Sequence, residues 1–229
     1  MASIYQLLRF TLPRSNAALL STFQALRDRV SNDSVKTQYF GYMIPNEGFP
    51  DRTAENDMCW VIKWPQSSTF QKSAEFKAAL STIGEGNIRS SFFDFQETKE
   101  GDTEKGFEAP VCQFALISLH PTAPKCTPKF THSMSKTFTD CYHAPGFRGG
   151  AWAYSPTTNS ADGQLITDPP TPHLEEKERR LACYVLGWED LEAHHSYAKT
   201  PLFDEEIDYL MEWFDKGTGA FYVRFEKHV

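Results

Sequence analysis

Two of the seven histidines in this chain are adjacent, His194 and His195, within GWEDLEAHHSYAKTPLF (Gly187 to Phe203). The carboxylates Glu189, Asp190, Glu192 and Asp204 lie close by. Histidine can take and return a proton near neutral pH because its unperturbed pKa is about 6.5. Neighbouring residues on a helix point about 100° apart, so the pair cannot face one ligand together. Leu191 and Ala198 mark the inward stripe, and the histidines flank it, so one leans toward the interior. Asp190 lies four residues before His194 and Glu192 three before His195, which is also ion-pair spacing on a helix surface. A pocket-facing general base and a pair of surface histidines are both open readings.

A second set of candidates lies on strands. His120 closes LISLHP and shares a strand face with Ser118, Leu119 taking the other. If that face meets the helices, His120 reaches a pocket as an acid/base; otherwise it sits at the solvent rim. Trp152 and Tyr154, two apart in GGAWAYSP, share a face suited to a flat aromatic substrate, and equally to core packing. The Tyr154 hydroxyl is the better catalytic candidate, since a buried hydroxyl needs a partner. Arg9 is a lone charge inside QLLRFTL. It either pairs with a carboxylate or binds a substrate carboxylate or enolate.

Several chemistries have no support. There is no HxH, no HxxxH and no CxxC, and the five cysteines fall mostly inside expected strands, so no metal site is expected. A haem would need one axial histidine, which several positions could supply. No GxGxxG, Walker loop or GxSxG occurs, so no NAD, FAD, ATP or serine-hydrolase chemistry is indicated, and no cofactor is expected. The net charge is −7 with no basic tract, which argues against nucleic acid and against an anionic membrane. No long apolar run and no signal peptide are evident, and the odd cysteine count fits reduced thiols in a cytoplasmic protein.

The elements that must position these residues recur. CWVIKWPQSSTFQKS (Cys59 to Ser73) aligns with CYVLGWEDLEAHHSY (Cys183 to Tyr197). YQLLRFTLP aligns with CQFALISLHP, YFGYMIP with GGAWAYSP, and SSFFDFQE with GAFYVRFE, in the same order. Between the strands, helical spacing predicts helices over Ser15–Ser31 (Ser15 as N-cap), Ser67–Ser81, Pro124–Tyr142, Glu189–Lys199 and Asp204–Lys216. Each unit reads strand, helix, strand, strand, helix, strand, the ferredoxin-like βαββαβ pattern. The fold class expected is α+β: two ferredoxin-like lobes in one chain forming a pseudo-dimeric α+β barrel. Residues 1–98 form an N-terminal lobe, 99–110 a polar linker and 111–229 a C-terminal lobe. All seven histidines lie from His120 onward, so histidine chemistry belongs to the second lobe and the first is structural. The long stretch Ser155 to Arg180 is read as a lid over the second lobe's pocket, touching through Leu165, Ile166 and His173, or as a disordered excursion.

Tyr184 to Phe203 resembles the dimeric α+β barrel superfamily of the antibiotic-biosynthesis-monooxygenase type, in a fungal-type tandem form. The match is carried by Trp188, Glu189, Glu192, Ala193, His194, Thr200 and Pro201. Members often carry further histidines along this helix; here Tyr197 and Leu202 stand in those places. The resemblance implies an apolar pocket between sheet and helices, with Tyr197, Trp152, Ser118 and Arg9 as substrate contacts. It also implies a cofactor-free tailoring enzyme of secondary metabolism, with His120, His194, His195 and Tyr154 as acid/base groups on an aromatic or polyketide-like molecule. Cyclisation, isomerisation and dehydration are the reactions in view. Alternatives are a cofactor-independent monooxygenase on a phenol, or a non-catalytic binding or stress-response barrel. The assembly is a monomeric pseudo-dimer or a homodimer.

Overall fold

A computed structural model describes residues 3–33, 35, 37–45, 55–65, 73–84, 87–169 and 172–228. The N-terminal lobe comprises β1 (Ser3–Thr11), α1 (Ala17–Asn32), β2 (Gln38–Ile44), β3 (Asp57–Pro65), α2 (Ala74–Ile83) and β4 (Arg89–Phe93). After α3 (Asp102–Glu108) comes the second lobe: β5 (Val111–Ser118), α4 (Pro128–Thr139), β6 (Phe147–Tyr154), β7 (Gln164–Leu165), β8 (Leu181–Trp188), α5 (Leu191–Tyr197), α6 (Pro201–Met211), β9 (Gly219–Val223) and β10 (Glu226–His228). The strands run in the order β6-β8-β5-β9-β2-β3-β1-β4-β7, with β10 on β2. Every pairing is antiparallel.

Each lobe is thus a four-stranded ferredoxin-like sheet. Lobe joins lobe where β2 meets β9 (Met43 opposite Val223, Ile44 opposite Tyr222), and a bridge between Gln96 and Trp152 closes the circuit into a barrel. The strand period of two divides each strand between two cores. On β1, Tyr5 and Leu7 enter the barrel interior, while Leu8 and Phe10 meet the helices. On β5, Cys112, Phe114 and Leu116 enter the barrel, while Val111 and Ile117 meet the helices. A tryptophan–glutamine bond occurs at a matching place in each lobe. Trp64 Nε1 donates to Gln6 Oε1 at 2.8 Å in one lobe, and Trp188 Nε1 donates to Gln113 Oε1 at 3.1 Å in the other.

Helix boundaries differ in instructive ways. Asn16, not Ser15, caps α1, its Oδ1 accepting from Leu19 N at 3.1 Å. The helix expected over Ser67–Ser81 begins at Ala74 behind an N-cap at Ser73; residues 67–72 lie outside the described residues. Pro128 starts α4, and its last turn tightens into a 3-10 turn, Asp140–His143. Thr200 and Pro201 start α6 three residues before the expected Asp204.

Two segments outside the lobe sheets pack across both lobes in their described residues. The 99–110 stretch, read as a polar linker, carries α3, whose Thr103 and Phe107 are fully buried. Phe107 enters the barrel beside Tyr39 (4.9 Å, stacked), Tyr5 (5.7 Å) and Phe225 (6.0 Å). The Tyr39 hydroxyl donates to Glu108 at 3.2 Å. Glycines admit this helix: a Cβ on Gly187 would lie 2.8 Å from the Gly106 Cα. The 155–180 excursion crosses the opposite end. It seats Ala161 in the barrel core, turns at Gly163 (φ 79°), and adds β7 to β4, Leu165 opposite Arg89. Ile166 packs into the helix layer of the N-terminal lobe, and His173 is exposed. The reading of this stretch as a lid over the second lobe's pocket is therefore corrected. A hydrophobic dipeptide, Leu165-Ile166, had an open edge strand to pair with in the other lobe.

Candidate active site

α5 starts because Asp190 caps it, Oδ1 accepting from Ala193 N at 2.7 Å. That bond occupies the carboxylate in the cap, so Asp190 is an N-cap for the helix that carries His194. Glu192 accepts from the Ser196 hydroxyl at 3.3 Å. The buried stripe is His194 and Tyr197, three apart, and His195 points to solvent.

His194 packs behind α5 against the end of the sheet. Its ring lies 5.2 Å from Trp188, edge to face, and 5.6 Å from His195. Its Nδ1 is 3.0 Å from the hydroxyl of Tyr222, a buried contact. Register explains the meeting. Tyr222 on β9 stands opposite Gln113 on β5, and Gln113 holds the Trp188 indole. Burial, helped by the charge of neighbouring His195, lowers the His194 pKa from 6.5 to about 4. Burial pushes the Tyr222 phenol up to about 12. Both groups are neutral at pH 7, so one proton joins them. With Nδ1–H donating to the Tyr222 oxygen, Nε2 carries a free lone pair; the other tautomer accepts the phenol proton at Nδ1.

Tyr197 lies 5.7 Å from Trp188 and links this pair to a groove of ≈ 570 Å³ on the other side of α5. The groove runs between His143, Pro145 and Gly146 on one wall and Ala193, Tyr197 and Leu202 on the other.

The other sequence candidates are distributed. Trp152 stacks on Tyr184 (5.3 Å, 11°), and Tyr154 meets Trp152 edge-on at 5.5 Å. They share the helix-facing layer with His194 but sit toward the far end of β8, roughly 13 Å along the strand from Trp188. Burial raises the Tyr154 pKa. Ser118 faces the barrel side, its hydroxyl donating to Asn159 O at 3.4 Å. His120 is exposed at the rim, Nδ1 2.7 Å from the Thr122 hydroxyl. Arg9 points into the barrel and donates to Ala161 O at 2.5 Å. The structure thus brings His194 and Tyr197 together and places Ser118 and Arg9 on the opposite face of the sheet. Sequence reasoning missed Tyr222. Its signal was the alternation in GAFYVRFE, which puts Phe221 and Tyr222 on opposite faces. Among the described residues, no cluster of three or more His, Cys, Asp or Glu could hold a metal ion, and no helix is long and apolar enough to cross a membrane.

The sequence matches no family model and no curated protein. Solved structures share the fold over the whole chain. An anthrone oxidase-like protein superposes with a TM-score of 0.62 at 12% identity, covering 100% of this chain and 93% of its own. A proposed monooxygenase of Fusobacterium nucleatum subsp. nucleatum ATCC 25586 gives 0.61 at 11% identity, over 99% and 94%. A proposed chlorite dismutase gives 0.55 at 13%, over 99% and 96%. The architecture is the dimeric α+β barrel, with both lobes supplied by one chain.

Proposed function

We propose that this protein is a cofactor-free enzyme that moves a proton on an apolar, aromatic small molecule, with His194 as the base and Tyr222 as its positioning partner. The observation that carries this reading is the buried 3.0 Å contact between His194 Nδ1 and the Tyr222 hydroxyl beneath a groove-lining helix. In the tautomer whose Nδ1–H donates to Tyr222, Nε2 is free, and burial keeps the ring unprotonated, so Nε2 is available as an acceptor at any pH above about 4. A base this weak suits an acidic carbon, such as a methylene flanked by aryl and carbonyl groups. Its conjugate acid returns the proton readily. α5 has only seven residues and is too short to be stable by itself. In this reading α5 moves outward to join the groove to His194.

The carbanion so formed reacts with dioxygen, or closes on or rearranges within the substrate. The neighbours named for anthrone oxidation and monooxygenation favour oxygenation over cyclisation, isomerisation or dehydration. Trp152 and Tyr154 offer the aromatic wall for an extended substrate. The matched Gln–Trp pairs in the two lobes support an origin by tandem duplication. A non-catalytic binding role is the competing reading.

The test is dioxygen uptake with anthrone. The wild type should consume dioxygen, His194→Gln should lose at least 100-fold in kcat/KM, and Tyr222→Phe roughly 10-fold, within the range general acid–base groups supply. His120→Gln, at the exposed rim, should retain activity. Turnover unaffected by His194→Gln would refute the assignment.

A further inference from the structure

The mouth of the barrel holds a second cavity, of ≈ 550 Å³, on the opposite face of β9 from His194. Its floor is apolar, formed by Met43, Leu116 and Phe221. Arg9 and Arg89 line it, and they stand directly opposite one another across the antiparallel β1–β4 pair. Opposed residues of such a pair share a face with Cβ atoms about 5 Å apart, and like charges there are destabilising. Arg9 reaches one carbonyl, Ala161 O, and lies 5.5 Å from the centre of the Phe221 ring. Among the described residues it forms no ion pair. Two carboxylates also line the cavity. Asp57 accepts from Thr11 at 3.1 Å, and Asp162, exposed on the 155–180 excursion, attracts Arg9 through space more strongly than Arg89 repels it, without forming an ion pair. Burial lowers the Arg9 pKa, against the attraction of Asp162, and the guanidinium is partly buried.

A guanidinium with unused donors, a second one opposite it and an apolar floor beneath form a receptor for a carboxylate on an apolar body. We infer that this barrel cavity binds an apolar carboxylate, the carboxylate between Arg9 and Arg89 and the hydrocarbon against Met43, Leu116 and Phe221. The geometry suits bidentate recognition by Arg9. The small lining residues Gly217, Gly219 and Ala220 leave room for a ring.

The test is calorimetric titration of the intact protein with 2-naphthoate and with its neutral isostere 2-naphthamide. Naphthoate should bind at least 30-fold more tightly than the amide. Arg9→Met should abolish that preference, and Arg89→Gln, an exposed change that keeps the fold, should cut naphthoate affinity about 10-fold. His194→Gln should bind as the wild type does, which separates this cavity from the proton-transfer site. Equal affinity for the two probes, no binding of naphthoate, or naphthoate binding indifferent to Arg89→Gln would each overturn the inference.

Discussion

At the scale of single residues, His194 carries the argument because its environment fixes its charge. Burial and the charge of His195 lower its pKa from 6.5 to about 4. Between those values the unfolded chain binds a proton that the folded chain refuses. Stability present above pH 6.5 is therefore lost as pH falls toward 4, by up to about 3 kcal/mol for 2.5 pKa units. Urea unfolding at pH 7 and pH 4.5 should show this loss in the wild type, and the loss should shrink in His194→Gln. The difference between the two proteins isolates His194 from His228, whose pKa burial also lowers. The histidine pair was legible in the sequence, but its environment was not. Asp190 and Glu192 stand at ion-pair spacing, yet one caps the helix and the other takes a serine hydroxyl. Tyr222 is 28 residues from His194, and no local pattern announces a contact set by strand register.

At the scale of elements, strands were far easier to read than connections. β1, β3, β5 and β8 announce themselves by apolar, β-branched and aromatic runs, and CWVIKW of one lobe recurs as CYVLGW in the other. α3 was read as a linker because TKEGDTEKGFEAP is polar and charged, and seven residues show too little periodicity. Its one apolar anchor, Phe107, is fully buried and plugs one end of the barrel. Phe107→Ala should cost about 3–5 kcal/mol in denaturant unfolding, as for other buried aromatic truncations. A loss under 1 kcal/mol would mean that α3 hangs on the barrel without closing it. The 155–180 excursion was misplaced for a related reason. Which edge a two-residue strand will join depends on which edge is open, and the sequence does not record that.

At the scale of the whole molecule, one continuous sheet separates the two proposed sites. Phe221 and Tyr222 are consecutive on β9, and the period of two sends the first to the barrel cavity and the second to His194. The two-lobed architecture was legible because similar strand sequences recur in the same order. The proposed barrel site was not, since Arg9 reads as an isolated charge until Arg89 is placed opposite it. The central claim is that His194 and Tyr222 form a neutral pair sharing one proton. Nitrogen-15 NMR of histidine-labelled protein across pH 3 to 8 addresses it most directly. The account requires a His194 imidazole that stays neutral down to about pH 4, with an Nδ1 shift that changes in Tyr222→Phe. An imidazole that titrates near 6.5 and ignores Tyr222→Phe would contradict it.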